Sequence, residues 1–232
     1  MCGIFGLLDL ANTSNIDEKK FHSALSTLRH RGPDSEDIKR ITGDLIFGHT
    51  RLSIIDLRAV SNQPLCIEGR YWIVYNGEIY NYKELRSELE ALGAKFKSDG
   101  DTEVLVYAYA RWGAACVERL NGMWAFAIYD IKTHHLFCSR DRFGVKPFNY
   151  SIFGNQFLFS SEIKAMLAYE PALAEPNYDA ISNYCRTSVG AQSEQTWFRK
   201  VRRLPPGCNL SIKNGKLKVE RFWRYPNEQI KD

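Results

Sequence analysis

The sequence predicts an α+β fold in which two antiparallel β-sheets are stacked between outer layers of helices. Two observations lead to this prediction. About ten strand-like segments follow one another in neighbouring pairs, without the regular helical crossovers that a parallel sheet requires. These segments are also rich in apolar residues on both faces, as strands are when both faces of a sheet are covered. The remaining helical segments, roughly four or five, are expected to form the outer layers.

The strands are predicted from short apolar runs that are rich in β-branched and aromatic residues. These runs cover residues 4–10, 45–48, 51–55, 71–75, 123–129, 135–139, 148–152, 156–159, 209–212 and 216–220. The last two flank Asn214-Gly215, a dipeptide that favours a two-residue hairpin turn. A hairpin is therefore expected near the end of the chain.

The helices are predicted from apolar residues at helical spacing. They cover residues 17–28, 82–92, 102–112, 161–169 and 178–184. Gly32-Pro33 follows the first helix as a stop signal, and Gly93 follows the second. Asn81 with Glu84 resembles a capping box, and Asp101 is a candidate cap for the third helix.

Residues 1–225 are predicted to form one domain, because no repeat, low-complexity segment or linker interrupts them. Hydrophobic residues make up 44% of the 232 residues and charged residues 25%, which is typical of a globular protein. The net charge is only +4, and the densest basic stretch, residues 199–203, is short. This composition argues against nucleic-acid binding.

The cysteines and the apolar runs restrict the compartment in which the protein is expected. Six cysteines without a C-x-x-C pair predict reduced thiols in the cytoplasm and no metal site. No run approaches about 18 apolar residues, so no membrane span is predicted. The amino terminus lacks a basic region and Asp9 ends its apolar run, which argues against a secretory signal.

Cys2 is the most informative residue of the chain. If Met1 is removed, Cys2 carries both a thiol and a free α-amine. A thiol with a pKa of about 8.5 is mostly protonated at neutral pH, whereas an α-amine with a pKa of about 7.7–8.0 can accept its proton. Nucleophile and general base would then share one residue. The alternative is that a cysteine at position 2 is incidental, and a retained Met1 would lock the amine in a peptide bond.

Asn76-Gly77-Glu78 is a candidate oxyanion hole for acyl transfer by such a thiol. The Asn76 side chain offers an NH₂ donor, and Gly77 lets a backbone N–H approach a ligand without a Cβ in the way. An ordinary turn is the competing interpretation, since Asn-Gly is a favoured turn dipeptide.

Arg51 and Asp101 are candidates for binding the charged ends of an amino acid. A guanidinium can bind a carboxylate in a bidentate manner, and a carboxylate can bind an ammonium group. A surface ion pair at Arg51 and a helix cap at Asp101 are the alternatives. Together with an oxyanion hole, these two residues would suit a free amino acid that carries an amide, such as glutamine.

Eight motifs along the chain follow one another in a familiar order. They are MCGIFG (1–6), RHRGPD (29–34), HTRLSIID (49–56), YNGEIYN (75–81), DGDTE (99–103), RDRFGVKP (140–147), SSEIK (160–164) and LPPG (204–207). On these motifs, residues 2 to 225 resemble the class II glutamine amidotransferase domain of glutamine-hydrolysing asparagine synthetases. The resemblance implies a four-layer αββα sandwich of the N-terminal nucleophile hydrolase type.

The resemblance also implies roles for individual residues. Cys2 would attack the side-chain amide of glutamine, release ammonia and leave a thioester for water to hydrolyse. Asn76 and Gly77 would form the oxyanion hole. The implied glutamine-binding residues are Arg51, Leu52, Ser53, Ile54, Ile55, Asn76, Gly77, Glu78 and Asp101.

The implied partner is a synthetase domain or subunit that receives the ammonia, and a homodimer is one assembly compatible with the resemblance. ATP and magnesium are expected only in that synthetase domain, and no cofactor is expected in this one. Residues 226–232 are expected to begin the linker to it. The motif SGGxDS of its pyrophosphate loop does not occur in this sequence, and residues 184–190 depart from the usual family pattern.

Three functions remain open at this point. The first is the ammonia-producing half of an asparagine synthetase, which amidates aspartate. The second is a catalytically silent scaffold that keeps the fold and docks a synthetase. The third is an enzyme of the same fold with another substrate, or an amidotransferase half with an acceptor other than aspartate.

Overall fold

A computed structural model describes residues 1–13, 16–188 and 194–225 of the chain. The predicted linker, residues 226–232, lies outside the described residues, as do positions 189 and 190 of the segment that departs from the family pattern.

Twelve strands occur in the described part of the chain. They are β1 (Gly3–Asp9), β2 (Ser35–Arg40), β3 (Leu45–Arg51), β4 (Leu65–Ile67), β5 (Tyr71–Ile79), β6 (Gly122–Asp130), β7 (His135–Arg140), β8 (Asn149–Phe153), β9 (Gln156–Ser160), β10 (Arg202–Arg203), β11 (Cys208–Lys213) and β12 (Lys216–Arg221). The predicted hairpin is confirmed, because β11 and β12 pair around Asn214 and Gly215, both with positive φ.

Six α-helices accompany these strands within the same described ranges. They are α1 (Glu18–Ser26), α2 (Tyr82–Ala91), α3 (Asp101–Trp112), α4 (Cys116–Arg119), α5 (Ile163–Tyr169) and α6 (Tyr178–Thr187). The start of α1 is fixed by Asp17, whose carboxylate accepts the Lys20 N–H at 3.0 Å. No helix of the described residues is long and apolar enough to cross a membrane.

The strands form two six-stranded sheets in which every neighbouring pair is antiparallel. The first sheet has the order β10-β8-β9-β1-β3-β2, and the second has the order β12-β11-β7-β6-β5-β4. The prediction of two antiparallel sheets is therefore confirmed.

Three apolar cores separate four layers. One core packs α1 and α5 on the first sheet, with Phe5 and Phe21 stacked at 4.5 Å between ring centroids. A second core fills the space between the sheets, with Ile4 and Phe47 facing Val74. The third packs α2 and α3 on the outer face of the second sheet. These layers are the predicted αββα sandwich.

The alternation of side chains along the strands carries polar residues to one end of the space between the sheets. Because side chains alternate between the two faces of a strand, Cys2 lies on the same side as Ile4. By the same rule Arg51 lies on the side of Phe47, and Asn76 on the side of Val74. The starting point of β1 and the ends of β3 and β5 therefore converge.

The predicted strand over residues 51–55 is wrong, since β3 ends at Arg51 and residues 52–55 are irregular. Their backbone donors go to side chains rather than to a neighbouring strand: Leu52 N–H donates to Cys2 Sγ at 3.4 Å, and Ser53 N–H to Asp34 Oδ2 at 2.7 Å.

Two side chains that were predicted to cap helices make other contacts instead. Asn81 is the N-cap residue of α2, but its side chain makes no capping hydrogen bond, because its Oδ1 accepts the Asn121 N–H and its Nδ2 donates to the Arg119 carbonyl. Gly100, not Asp101, is the N-cap residue of α3. Asp101 is the first residue of that helix, and its carboxylate is directed elsewhere.

Candidate active site

Residues from six places in the sequence line one pocket at this end of the sandwich. It has an empty volume of about 670 Å³, part of which opens to solvent. Nine of the ten sequence-predicted site residues line it: Cys2, Arg51, Leu52, Ile54, Ile55, Asn76, Gly77, Glu78 and Asp101. Ser53 does not, because its N–H is directed to Asp34.

The Cys2 sulfur lies against the backbone of Leu52. Leu52 N–H donates to Sγ at 3.4 Å, and Sγ lies 3.6 Å from the Leu52 carbonyl oxygen. On the other side, Arg31 Nε donates to the Cys2 carbonyl at 2.9 Å. Burial raises the pKa of the Cys2 thiol, while the Leu52 N–H and the Arg51 charge act against that rise. The sulfur is thus fixed in place but needs a base to become a nucleophile.

Met1 precedes Cys2, lines the same pocket and is 56% exposed. Because it is accessible and makes no part of a core, its removal would leave the sandwich intact. The α-amine of Cys2 would then lie at the mouth of the pocket beside its own thiol.

Asn76 is buried, with 1% of its surface exposed, yet its Nδ2 amide has no hydrogen-bond partner among the described residues. A buried donor without a partner costs about 1–3 kcal/mol. Such groups are rare in folded proteins and call for an explanation. A ligand oxygen in the pocket would satisfy this donor.

Gly77 is required by packing as well as by chemistry. The competing interpretation of Asn76-Gly77 as a turn is wrong, because β5 continues to Ile79 and Gly77 pairs with Trp124 of β6. A Cβ on Gly77 would lie 2.3 Å from the Met123 carbonyl oxygen and 2.5 Å from the Tyr75 ring. Pairing with β6 therefore overrides the turn preference of the dipeptide and also demands glycine.

Arg51 is 6% exposed and forms no ion pair with a carboxylate in the described parts of the chain, so the surface ion pair is excluded. Its Nη1 donates to the Arg58 carbonyl at 3.1 Å and to Asn62 Oδ1 at 2.6 Å, and its Nη2 donates to the Asp56 carbonyl. These bonds use three of the five N–H donors of a guanidinium. Two donors remain for a carboxylate in the pocket.

Asp101 is a buried carboxylate that also lines the pocket. Its Oδ2 accepts the Tyr75 hydroxyl at 2.8 Å and the Ile79 N–H at 3.0 Å. Burial raises the pKa of Asp101, and these two donors oppose the rise. With Glu78 also lining the pocket, two carboxylates are available for an ammonium group.

A loop over residues 52–62, which we call the pocket loop, covers one side of the site. Arg58 donates at 2.6 Å to Asp56 within the loop, and at 2.6 Å to Asp99 in the turn before α3, which joins the loop to that turn. Asp99 N–H donates to Asp56 Oδ2 at 2.8 Å. The Arg58 hydrogen bonds hold the pKa of Asp56 well below its usual range. The pocket loop and Asp101 are thereby linked.

Sequence reasoning missed several residues at the site. Gln63 accepts the Tyr75 N–H at 2.6 Å, and His49 contacts the Tyr75 carbonyl oxygen at 3.1 Å. Burial lowers the pKa of His49 to about 4, so its ring is neutral and donates from Nε2. Lys146 also lines the pocket, although the sequence had marked it only as a member of the RDRFGVKP motif and not as a site residue. No cluster of three or more potential metal ligands occurs within the described ranges.

Comparison with known proteins places this geometry in context. A family model described as a glutamine amidotransferase domain matches residues 1–223. Asparagine synthetase [glutamine-hydrolyzing] 3 of Bacillus subtilis is 36% identical over all of this chain and 38% of its own length. Asparagine synthetase [glutamine-hydrolyzing] 1 of the same organism is 37% identical over 97% of this chain and 35% of its own length. The chain thus spans less than half the length of these relatives.

The fold is shared with a solved structure of lower sequence identity. The glutamine phosphoribosylpyrophosphate amidotransferase of B. subtilis superposes with a TM-score of 0.67 over 96% of this chain and 49% of its own, at 21% identity. That likeness concerns the fold alone, and it agrees with the observed sandwich of two antiparallel sheets between layers of helices.

Proposed function

This chain belongs to the glutamine amidotransferase domain family, and we propose that, once Met1 is removed, it hydrolyses glutamine to glutamate and ammonia through a thioester on Cys2. The observation that carries the proposal is the buried, unpartnered Asn76 amide in the pocket that also holds the Cys2 sulfur. A scaffold domain would have no use for such a donor.

In the first half of the reaction the Cys2 thiol attacks the side-chain carbonyl carbon of glutamine, and its proton passes to the α-amine. The carbonyl oxygen becomes an oxyanion that accepts hydrogen bonds from Asn76 Nδ2 and the Gly77 N–H. When this intermediate collapses, the carbon–nitrogen bond breaks, and the α-ammonium returns the proton to the leaving ammonia.

In the second half a water molecule attacks the thioester. The α-amine takes the water proton, the same oxyanion hole stabilises the second tetrahedral intermediate, and the sulfur leaves as the thiol when the proton returns. Glutamate is then released. Each step uses only groups of Cys2, Asn76 and Gly77.

The charges around the pocket support recognition of a free amino acid. The two uncommitted donors of Arg51 suit the α-carboxylate of glutamine, and Asp101 with Glu78 suits its α-ammonium group. Leu52, Ile54 and Ile55 would contact the aliphatic part of the substrate. Ser53 remains a predicted backbone contributor whose N–H is already engaged.

We further propose that the ammonia serves the ATP-dependent amidation of aspartate to asparagine in a synthetase domain or subunit. The printed names of the two asparagine synthetases support this acceptor. ATP and magnesium would bind in that partner and not in this domain. The six free cysteines support a reducing compartment such as the cytoplasm, and a homodimer stays a prediction for analytical ultracentrifugation.

Glutamate release by the Met1-trimmed protein tests the proposal. We expect turnover with glutamine, none with the Cys2→Ala variant, and normal turnover with Cys185→Ala, a matched control at an exposed cysteine. The assay is run with and without the synthetase partner. Glutamate formation at the Cys2→Ala rate under both conditions would exclude the proposed function.

A further inference from the structure

The RDRFGVKP motif, residues 140–147, has no part in the mechanism described so far. It forms the connection between β7 and β8, and its only lysine, Lys146, lines the Cys2 pocket. The motif contains two charged residues, Arg140 and Asp141, that are 6% and 0% exposed. Burying two charges is costly, so their arrangement needs a reason.

Arg140 holds the loop through three carbonyl groups. Its Nε donates to the Lys146 carbonyl at 2.7 Å, its Nη2 to the Gly144 carbonyl at 2.6 Å, and its Nη1 to the Leu204 carbonyl at 2.7 Å. Burial lowers the pKa of Arg140 to about 10, which still leaves it charged at neutral pH.

Asp141 holds the same loop because its carboxylate accepts hydrogen bonds from backbone N–H groups of the loop. Oδ1 accepts from Phe143 at 3.1 Å and from Val145 at 3.0 Å, and Oδ2 accepts from Lys146 at 2.9 Å. Gly144 completes the loop with φ of +65°, a conformation that disfavours other residues.

These contacts fix both backbone groups of Lys146 and leave only its side chain free. Lys146 is 5% exposed, yet its ammonium makes no hydrogen bond or ion pair with any described residue. The ammonium is not among the fully buried polar atoms, since it borders the pocket, part of which opens to solvent. The buried charges of the loop and the unpaired ammonium therefore both point to the pocket that Lys146 lines.

The charges that face this part of the pocket come from several elements. Electrostatic interactions join Lys146 to Arg31, Asp141, Cys2 and Glu78, and join Cys2 to Arg51 and Asp101. Burial and the Arg31 charge lower the pKa of Lys146. The carboxylates Glu78 and Asp101 are assigned to the substrate ammonium, so they do not neutralise Lys146 when glutamine is bound.

We propose, on the premise of the glutaminase activity above, that the loop over residues 140–147 serves to hold the Lys146 cation beside Cys2, as a positioning residue that acts through Cys2. A fixed positive charge disfavours a second positive charge on the α-amine, which keeps that amine available as the base. The same charge favours negative charge on the sulfur and on the oxyanion.

Glutamine hydrolysis as a function of pH tests this role in the trimmed protein. Lys146→Gln is expected to move the acidic limb of kcat, which reports the complex with glutamine, to higher pH by roughly 0.5 unit or more, since removing a nearby charge makes the amine easier to protonate. Lys146→Arg keeps the charge and should keep the limb. Lys216→Gln, at an exposed lysine at the start of β12, is the matched control and should match the wild type.

The pH dependence of Cys2 alkylation by iodoacetamide gives a second readout that needs no turnover. Its midpoint should also rise in Lys146→Gln, because the thiolate loses a stabilising charge. Lys146→Met, which keeps the aliphatic stem, replaces the glutamine variant if thermal melting shows that the latter does not fold. If the wild type and Lys146→Gln have the same pH profile of turnover and the same alkylation midpoint, the inference is overturned. A substitution that changes only KM for glutamine would also overturn it. A wild-type protein without turnover would instead overturn the proposed function, while the alkylation midpoints would still decide on Lys146.

Discussion

At the scale of single residues, Asn76 combines two properties that rarely coincide, deep burial and an amide donor without a partner. Folding alone would favour an apolar side chain at this position. The polar group therefore lowers stability in exchange for an interaction that only a bound substrate or intermediate supplies.

Asn76→Ala is accordingly expected to lower kcat for glutamine hydrolysis by about 10²–10³ fold, the typical cost of one oxyanion donor. Its melting temperature should stay equal or rise, because an unsatisfied buried donor is removed. Steady-state kinetics and thermal melting check both parts.

Asn81→Ala is the matched control, since both ends of the Asn81 amide are hydrogen-bonded and it lies outside the pocket. It should lose about 1 kcal/mol of stability and keep kcat. The opposite pattern, with Asn76→Ala unstable and fully active, would contradict the assignment.

Glu162 is a second informative residue, because it accepts a hydrogen bond from Arg31, which in turn holds the Cys2 carbonyl. Burial opposes its ionisation, yet hydrogen bonds from Arg31, His30 and Lys164 lower the pKa of Glu162 to about 2. A lowered carboxyl pKa stabilises the fold above the unfolded pKa of about 4.3, and that contribution is lost as the pH falls towards 2.

Glu162→Gln should therefore be less stable than the wild type at pH 7, and the difference should shrink between about pH 4.3 and 2. Urea unfolding across this range measures it. A difference that is independent of pH would show that the ionised form of Glu162 contributes nothing.

At the scale of elements, the pocket loop over residues 52–62 depends on a few charged contacts rather than on apolar packing. Leu57 is 73% exposed and Ile54 is 69% exposed, whereas Arg51 and Arg58 hold the loop by hydrogen bonds. Loss of one of these contacts should affect the position of the loop more than the global stability.

Arg58→Ala is expected to raise KM for glutamine several-fold with little change in kcat, because the pocket loop contributes to the proposed glutamine-binding residues and not to the proposed oxyanion hole. The global stability should change by less than about 1 kcal/mol, because the Arg58 guanidinium is exposed and Asp56 keeps the backbone N–H donors of Arg58 and Asp99. Arg40→Ala, which removes an exposed contact with Glu18 far from the pocket, is the matched control. An unchanged KM in Arg58→Ala would show that the loop holds its position without this contact.

At the scale of the whole molecule, most strands of the sandwich could be predicted from the sequence. Nine of the ten predicted runs overlap a separate observed strand, and the run over 51–55 contains only the last residue of β3. The prediction missed β2, because Ser35–Arg40 is mostly polar and pairs only with β3. It also missed β4, which has three residues, and β10, which has two. The order of strands was beyond reach, since it rests on pairs distant in sequence, such as β1 with β9.

At the candidate site, too, residues with a local signal could be predicted, and residues that act through contacts between distant segments could not. Cys2, Arg51 and Asp101 were identified by residue type, and the structure brings them to one pocket. The Asn76-Gly77 segment was ambiguous because local turn preference competes with pairing to β6, which only the fold reveals. Gln63 and Tyr75 carried no local signal, because their contribution is a contact between distant segments.

Intact mass spectrometry of the protein after reaction with an electrophilic glutamine analogue shows whether removal of Met1 activates the Cys2 thiol. The Met1-trimmed protein should gain one adduct, which peptide mapping assigns to Cys2, and an uncleaved Met1 form should gain none at the same concentration. Labelling of another cysteine, or equal labelling of the trimmed and uncleaved forms, would contradict the account of Cys2 as a nucleophile activated by its own amine.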